Sequence, residues 1–235
     1  MDAKTDAPSL RLPTTLLLVG QVLYIIVTQL HADGPANNHP VVFAEYANSG
    51  MWTAVHLGQF LSMSILLAGL FGLALSLDAR NATARMASRF GAAFAVVALA
   101  LYGALQAVDG VANKQADVAW MSAAGAEKAA RFASAEAIRW IEWGLRSYQD
   151  VAMGLALLLI TAAVVRTTWL PRALGYLIGL SGIVYIVQGW VVGVQGFSSS
   201  ESILIVLAWA LTLAWVIWLM TVARRAHQPE TSSSL

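Results

Sequence analysis

Cysteine is absent from this chain of 235 residues, which excludes disulfide bonds, thiolate metal ligands and cysteine nucleophiles. Charged residues are scarce, at 11% of the chain, against about 25% in ordinary soluble domains. The net charge of +1 gives no bulk basicity, so we expect no nucleic-acid partner. No small-residue cleavage site follows the first apolar run, so we expect that run to be a membrane helix rather than a cleaved signal peptide.

The chain is instead rich in long apolar runs, and 58% of its residues are hydrophobic. A bilayer core about 30 Å thick is crossed by roughly 20 residues of helix. The runs are continuously apolar rather than alternating, which favours helices over a closed β-barrel. The sequence therefore predicts an all-α integral membrane bundle of about six transmembrane helices. The predicted spans are Thr14–Leu30, Trp52–Leu77, Met86–Val108, Ser134–Val165, Ala173–Gln195 and Ser202–Val222.

The positions of lysine and arginine predict the orientation, because these residues concentrate in cytoplasmic segments. With both termini in the cytoplasm, the inner segments contain most of the basic residues and the outer connections, 32–51 and 109–133, contain few. We expect a cytoplasmic tail over residues 1–13, a membrane domain over 14–226 and a disordered cytoplasmic tail over 227–235. The expected location is a bacterial inner membrane, with the polar site toward its extracytoplasmic side.

Five charged residues form one stripe on the fourth predicted span. They are spaced by three or four residues, which places them within about 120° of the helix surface, with alternating sign. An ionised side chain costs about 2.5–3.5 kcal/mol at the centre of a bilayer, so the stripe should face protein or a wet cavity. It is either a structural ladder of ion pairs or the lining of a cavity with a carboxylate acid or base, unless its outer members lie in the headgroup layer. The five are Glu136, Arg139, Glu142, Arg146 and Asp150.

Three histidines form a second polar group at the same predicted face: His31, His39 and His56. With the nearby carboxylates Asp33 and Glu45, they offer enough ligands for zinc, copper or iron. Their spacing matches no compact metal motif. Ordinary hydrogen-bonding histidines, or an acid–base role for His56, are the alternatives. No cofactor is favoured from the sequence, although a divalent metal is possible.

The pair Asp109-Gly110 ends the third predicted span. It is typical of a helix terminus with a permissive glycine. A carboxylate at that end opposes the helix dipole, so we expect Asp109 to have a cationic partner. Lys114, Arg139 and Arg146 are the possible partners. The stripe, the histidines and Asp109 all lie toward the predicted outer half of the bundle. The inner half has no comparable group of polar residues.

Several segments resemble a group of uncharacterised actinobacterial membrane proteins. They are His31-Ala-Asp-Gly-Pro-Ala-Asn-Asn-His39-Pro40 with Trp52-Thr-Ala-Val-His56-Leu-Gly-Gln59, Ala107-Val-Asp109-Gly110-Val, and Ala135-Glu136-Ala-Ile-Arg139-Trp140-Ile-Glu142-Trp143-Gly. The junction Trp169-Leu-Pro171-Arg-Ala-Leu-Gly175 resembles related families of the DUF4386 type. The resemblance implies a six-helix bundle and no known activity. A looser, architectural similarity is to small membrane-integral terpene cyclases.

These signals lead to one main functional hypothesis. It is a membrane-embedded enzyme that acts by acid–base chemistry on a lipophilic, isoprenoid or lipid-like substrate in an outer-facing cavity, as a cyclase or isomerase would. The alternatives are a small transporter or ligand-binding sensor, a histidine-based metal enzyme with His31, His39 and His56, and a non-catalytic assembly factor. The expected partners are the lipid bilayer and a lipophilic small molecule, and the oligomeric state stays open. The candidate catalytic residues are Glu136, Glu142, Asp109 and His56, and the candidate substrate-binding residues are Arg139, Arg146, Trp140, Trp143, Tyr185 and Gln59.

Overall fold

The computed structural model describes residues 10–32, 34–35, 37–77 and 81–225, and these contain helices and no strand. Six helices are long and apolar enough to cross a membrane, so the all-α membrane bundle predicted from the sequence is confirmed. Expectations about the first nine residues, Asp33, the Arg80 connection and the C-terminal tail lie outside the described residues. The helices are α1 (Arg11–Thr28), α2 (His39–Asn48), α3 (Trp52–Ser76), α4 (Ala82–Ala107), a π-helical segment (Val108–Asn113), α5 (Lys114–Ser122), α6 (Gly125–Val164), α7 (Arg172–Gln195) and α8 (Ser199–Arg225).

The six long helices form a closed ring. Helix α1 packs against α3, α3 against α4, α4 against α6, α6 against α7 and α7 against α8, and α8 returns to α1. Because successive spans run in opposite directions, the C-termini of α1 and α7 meet the N-termini of α3, α6 and α8 at one end. Helices α2 and α5 lie at this same end, which is called the α2 end below. The ring therefore has an interior to which each of the six spans can contribute side chains.

The connection expected at residues 109–133 is almost entirely helical. Helix α4 continues through the π-helical segment into α5, and only Ala123 and Ala124 separate α5 from α6. This stretch is too polar for a membrane span, but it is rich in alanine, which has the highest helix propensity. Helix α6 has 40 residues and so is about 60 Å long at 1.5 Å per residue. This is about twice the thickness of a bilayer core.

Helices α2 and α5 close the α2 end of the ring. The two helices pack against each other. A small apolar cluster, separate from the main core, joins them to the starts of α3 and α6: Val42, Phe43, Tyr46, Trp52 and Ala135. The ammonium of Lys114 donates hydrogen bonds of 2.8 Å each to the carbonyl oxygens of Tyr46, Ala47 and Ser49. A cation at the C-terminus of α2 satisfies carbonyls that have no partner in the helix and complements its dipole.

Helices α6 and α7 approach closely at paired glycines. A Cβ atom added at Gly154 would lie 2.5 Å from the carbonyl oxygen of Gly182, and one added at Gly182 would lie 2.9 Å from that of Gly154. Small residues allow such contact between membrane helices, where packing rather than water exclusion drives association. The small residues on the fifth predicted span therefore serve helix packing.

Candidate functional site

A cavity of about 400 Å³ lies inside the ring at the α2 end. Helices α1, α3, α4, α6 and α8 and the π-helical segment all contribute to its wall, and α2 covers it. Five of the candidate residues predicted from the sequence line it, together with His31. The five are Gln59, Asp109, Arg139, Glu142 and Arg146.

Four of the five residues of the charged stripe on α6 face the protein interior, as predicted. The guanidinium of Arg139 lies 2.7 Å from a Glu142 carboxylate oxygen, and that of Arg146 lies 3.1 Å from an Asp150 oxygen. All four side chains are largely shielded from solvent, and Asp150 is fully buried. The stripe is therefore two separate ion pairs. Arg139, Glu142 and Arg146 line the cavity. Asp150 does not line it and lies farther from the α2 end.

Glu136, the first member of the stripe, does not join the cavity. Its side chain is 30% exposed and lies 3.0 Å from Nδ1 of His39. The two residues line a separate recess with Asn38 and Phe132. The structure thus separates Glu136 from Glu142, and it separates His39 from the other two histidines that the sequence grouped with it.

Asn113 links two of the cavity carboxylates. Its side-chain amide donates hydrogen bonds to Glu142, at 2.6 Å, and to Asp109, at 3.3 Å. Both Asp109 and Asn113 belong to the π-helical segment and are buried. Such segments insert an extra residue into a helix and often occur at functional sites. Here the segment directs Asn113 toward Glu142 on α6 and Asp109 toward the cavity.

His56 is the partner of Asp109, in place of the lysine or arginine expected. Nε2 of His56 lies 3.0 Å from Oδ2 of Asp109. The ring of His56 is held from the other side, because its Nδ1 lies 2.7 Å from the carbonyl oxygen of Trp52. A Cβ atom at Gly110 would lie 2.7 Å from the Cβ of His56. Gly110 is therefore not a helix terminus, and its small size allows α3 to approach the π-helical segment.

His31 completes this group from the end of α1. One ligand atom each of His31, His56 and Asp109 lies within 4.8 Å of the others, so these three residues could hold a metal ion. Nδ1 of His31 lies 2.6 Å from the carbonyl oxygen of Ala32. Burial lowers the pKa of His31 below its usual value, although the Asp109 carboxylate acts in the opposite direction. The neutral imidazole, which is the form that ligates metals, is thereby favoured.

Sequence reasoning missed several aromatic and polar residues of the cavity wall. Tyr24 on α1 accepts a hydrogen bond of 3.3 Å from Arg146, and Phe197 and Tyr46 lie 4.6 and 5.2 Å from the guanidinium carbon of Arg139. Burial raises the pKa of the Tyr46 phenol well above its usual value. Glu201 on α8 is buried at the wall. The sequence did contain a signal for the polar ones among these residues, because they lie next to or within apolar runs. A polar side chain is costly to bury in a membrane unless it has a partner.

Three of the remaining candidates lie outside the cavity wall. Trp140 is 57% exposed on the outer face of α6. Trp143 packs against Phe197 and His39, and Tyr185 is buried in the main apolar core. Gln59, by contrast, lines the cavity and donates a hydrogen bond of 3.3 Å to the hydroxyl of Thr28.

Comparison of the chain with protein-family models, with curated proteins and with solved structures finds no match.

Proposed function

We propose that this protein is a membrane-embedded enzyme that moves a proton on an amphiphilic, lipid-like molecule held in the cavity. The observation that carries the proposal is the position of Glu142, buried at the cavity wall between the Arg139 guanidinium and the Asn113 amide. Buried charges are expensive unless they are paired, and intramembrane carboxylates are functional candidates for that reason. A bundle that needed ion pairs only for stability would have no reason to leave a cavity beside them.

The wall of the cavity favours a substrate with a polar head and an apolar body. Its volume is within the range of about 300–1,000 Å³ common for small-molecule sites. Leu105, Ile205 and Trp209 provide an apolar part of the wall, whereas Arg139 and Arg146 provide cationic groups. An isoprenoid or other lipid that carries a polar or anionic group matches both parts.

Glu142 is proposed as the group that gives or accepts the proton. Asn113 holds one of its oxygens, and Arg139, held in turn by Tyr46 and Phe197, keeps the carboxylate in place. Positioned carboxylates contribute to catalysis by proton transfer. Isomerisation and cyclisation, which the architectural similarity to terpene cyclases also suggests, require only that a proton be moved.

A small transporter or a ligand sensor is the second candidate. Buried polar groups continue below the cavity, away from the α2 end, and include Asp150, Gln188 and Thr212. Asp150 is paired with Arg146, whereas the side-chain amide of Gln188 lacks a hydrogen-bond partner in the described part of the chain. Polar groups of this kind usually bind ordered water, and a hydrated path of this depth favours passage of a proton or small ion.

We also propose that the site faces the extracytoplasmic side of the membrane and that the chain is related to the DUF4386-like proteins. The distribution of lysine and arginine supports cytoplasmic termini, which would place the α2 end on the extracytoplasmic side of a bacterial inner membrane. The motifs described above support kinship with the DUF4386-like membrane proteins.

The test compares the lipids of cells that produce the wild-type protein with those of cells that produce Glu142→Gln. The amide retains the shape of the carboxylate but can neither accept nor supply the proton. Mass spectrometry of the extracts should reveal a lipophilic species that changes with the wild-type protein and not with the variant. Glu127→Gln is the matched control, because Glu127 is paired with Arg131 on the exposed part of α6. Equal lipid profiles for wild type and Glu142→Gln would contradict the proposal that the protein is an enzyme.

A further inference from the structure

Three side chains from separate helical elements converge beside the cavity. His31 follows α1, His56 lies on α3 and Asp109 lies on the π-helical segment. Their ligand atoms are all within 4.8 Å of one another. His31 and Asp109 line the cavity, whereas His56 approaches from the opposite side and lines a neighbouring recess. Two imidazoles and one carboxylate are a common ligand set for divalent transition metals.

Both histidines are oriented by hydrogen bonds from the nitrogen that would not bind a metal. Nδ1 of His31 faces the Ala32 carbonyl oxygen, and Nδ1 of His56 faces the Trp52 carbonyl oxygen. A carbonyl oxygen only accepts, so each Nδ1 carries the hydrogen. In the neutral ring, Nε2 then has a free electron pair. Metal-binding histidines are commonly held in this way, which fixes both the tautomer and the direction of the ring.

The contact between His56 and Asp109 has the spacing of two metal ligands. Their Nε2 and Oδ2 atoms are 3.0 Å apart. Nε2 is buried and faces the Asp109 carboxylate. Two atoms that each bind one metal ion at about 2.1 Å lie roughly 3.0 Å apart at a right angle and roughly 3.4 Å apart at the tetrahedral angle that Zn²⁺ prefers. The spacing is therefore compatible with neighbouring ligands of one ion.

The surrounding groups support the same reading. Asn113 donates to the other oxygen of Asp109, which leaves Oδ2 for an ion. Trp52 donates its indole N–H to the backbone carbonyl oxygen of Asp109, so one residue holds both His56 and the π-helical segment. The nearest cation on the stripe, Arg139, is neutralised by Glu142 at 2.7 Å. A divalent ion here would not face an uncompensated positive charge.

We propose that His31, His56 and Asp109 form a binding site for one divalent first-row transition metal ion, with open coordination positions toward the cavity. The site stands whether the protein is an enzyme, a transporter or a sensor. If the enzyme proposal also holds, the ion would polarise a substrate oxygen or a water molecule on the same side of the cavity as Glu142.

The test measures metal in the purified full-length protein. After incubation with Zn²⁺ and removal of the excess, mass spectrometry of the metal should find about one Zn²⁺ ion per chain. His31→Ala and Asp109→Asn should each lower that content at least tenfold. His39→Ala is the matched control, because His39 is paired with Glu136 and lies outside the group, and it should retain its metal. No bound Zn²⁺ in the wild-type protein, or equal loss in His39→Ala, would overturn the site.

Cobalt provides a second readout that does not depend on the buried variants. Co²⁺ added to the wild-type protein should give visible absorption bands that Zn²⁺ abolishes, since both ions would occupy the same ligands. If the buried variants fail to fold, the spectrum of His39→Ala decides the question, because that variant should keep the bands. Absence of the bands would reject the metal site. A bound metal ion together with an unchanged lipid profile would instead support the site and reject the enzyme.

Discussion

Trp52 donates its indole N–H to the backbone carbonyl oxygen of Asp109 across a distance of 3.0 Å. The same residue accepts the Nδ1 hydrogen of His56 through its own carbonyl oxygen. Trp52 is almost fully buried and begins α3. A single residue therefore ties the start of α3 to the π-helical segment and contacts both His56 and Asp109.

Trp52→Phe should keep the apolar contact but remove this hydrogen bond. The carbonyl oxygen of Asp109 would remain buried without its donor, which costs about 1–3 kcal/mol. We expect that loss in the free energy of unfolding measured in mixed detergent micelles, together with weaker Zn²⁺ binding. Trp140→Phe is the control, because Trp140 is exposed. Equal stability of the two variants would show that the hydrogen bond is unimportant.

Gly110→Ala should disturb the site by one methyl group. The new Cβ atom would lie 2.7 Å from the Cβ of His56, so α3 or the π-helical segment must shift. Overpacking of this kind costs about 1–3 kcal/mol, and the thermal unfolding temperature should fall. Gly144→Ala on α6 meets nothing within 4 Å. It should be neutral or stabilising by about 0.5–1 kcal/mol, because alanine favours the helix. A stabilised Gly110→Ala variant would refute the close approach.

Arg146→Leu should be strongly destabilising. It leaves Asp150 fully buried and without its ion-pair partner, and breaking such a pair costs about 3–5 kcal/mol. The double variant Arg146→Leu, Asp150→Leu should recover much of that loss, since no uncompensated charge remains. Arg131→Leu breaks an exposed pair on the same helix and should cost no more than about 1 kcal/mol. If Arg146→Leu is equally mild, water solvates Asp150.

The orientation of the bundle is tested by reporter fusions. Fusions after Arg166 and Arg225 should report the cytoplasm, and fusions at Asn38 and Gly125 should report the outside, because basic residues concentrate in cytoplasmic segments. Asn38 and Gly125 both lie at the α2 end, so their fusions must agree with each other. A cytoplasmic result for both would reverse the bundle and move the cavity to the inner side. Disagreement between them would contradict the ring.

The sequence alone determined the class of the protein and which way the charged face of α6 points. An apolar run of about 20 residues has one stable environment, the bilayer, and in it the backbone must satisfy its own hydrogen bonds as a helix. Charges spaced by three and four residues share one face, and lipid is too costly a neighbour for that face. The six spans and the inward position of Arg139, Glu142 and Asp150 follow from these two facts.

Only the tertiary structure decided which polar groups meet. The sequence grouped His39 with His31 and His56, but α2 turns His39 toward Glu136 instead. From the sequence, the expected partner of Asp109 was a lysine or an arginine. In the structure, the π-helical segment and the small Gly110 bring Asp109 to His56. Such pairings depend on the rotation and relative height of helices packed in a ring. Contacts between residues distant in the chain set both quantities, and the local sequence pattern carries no record of them.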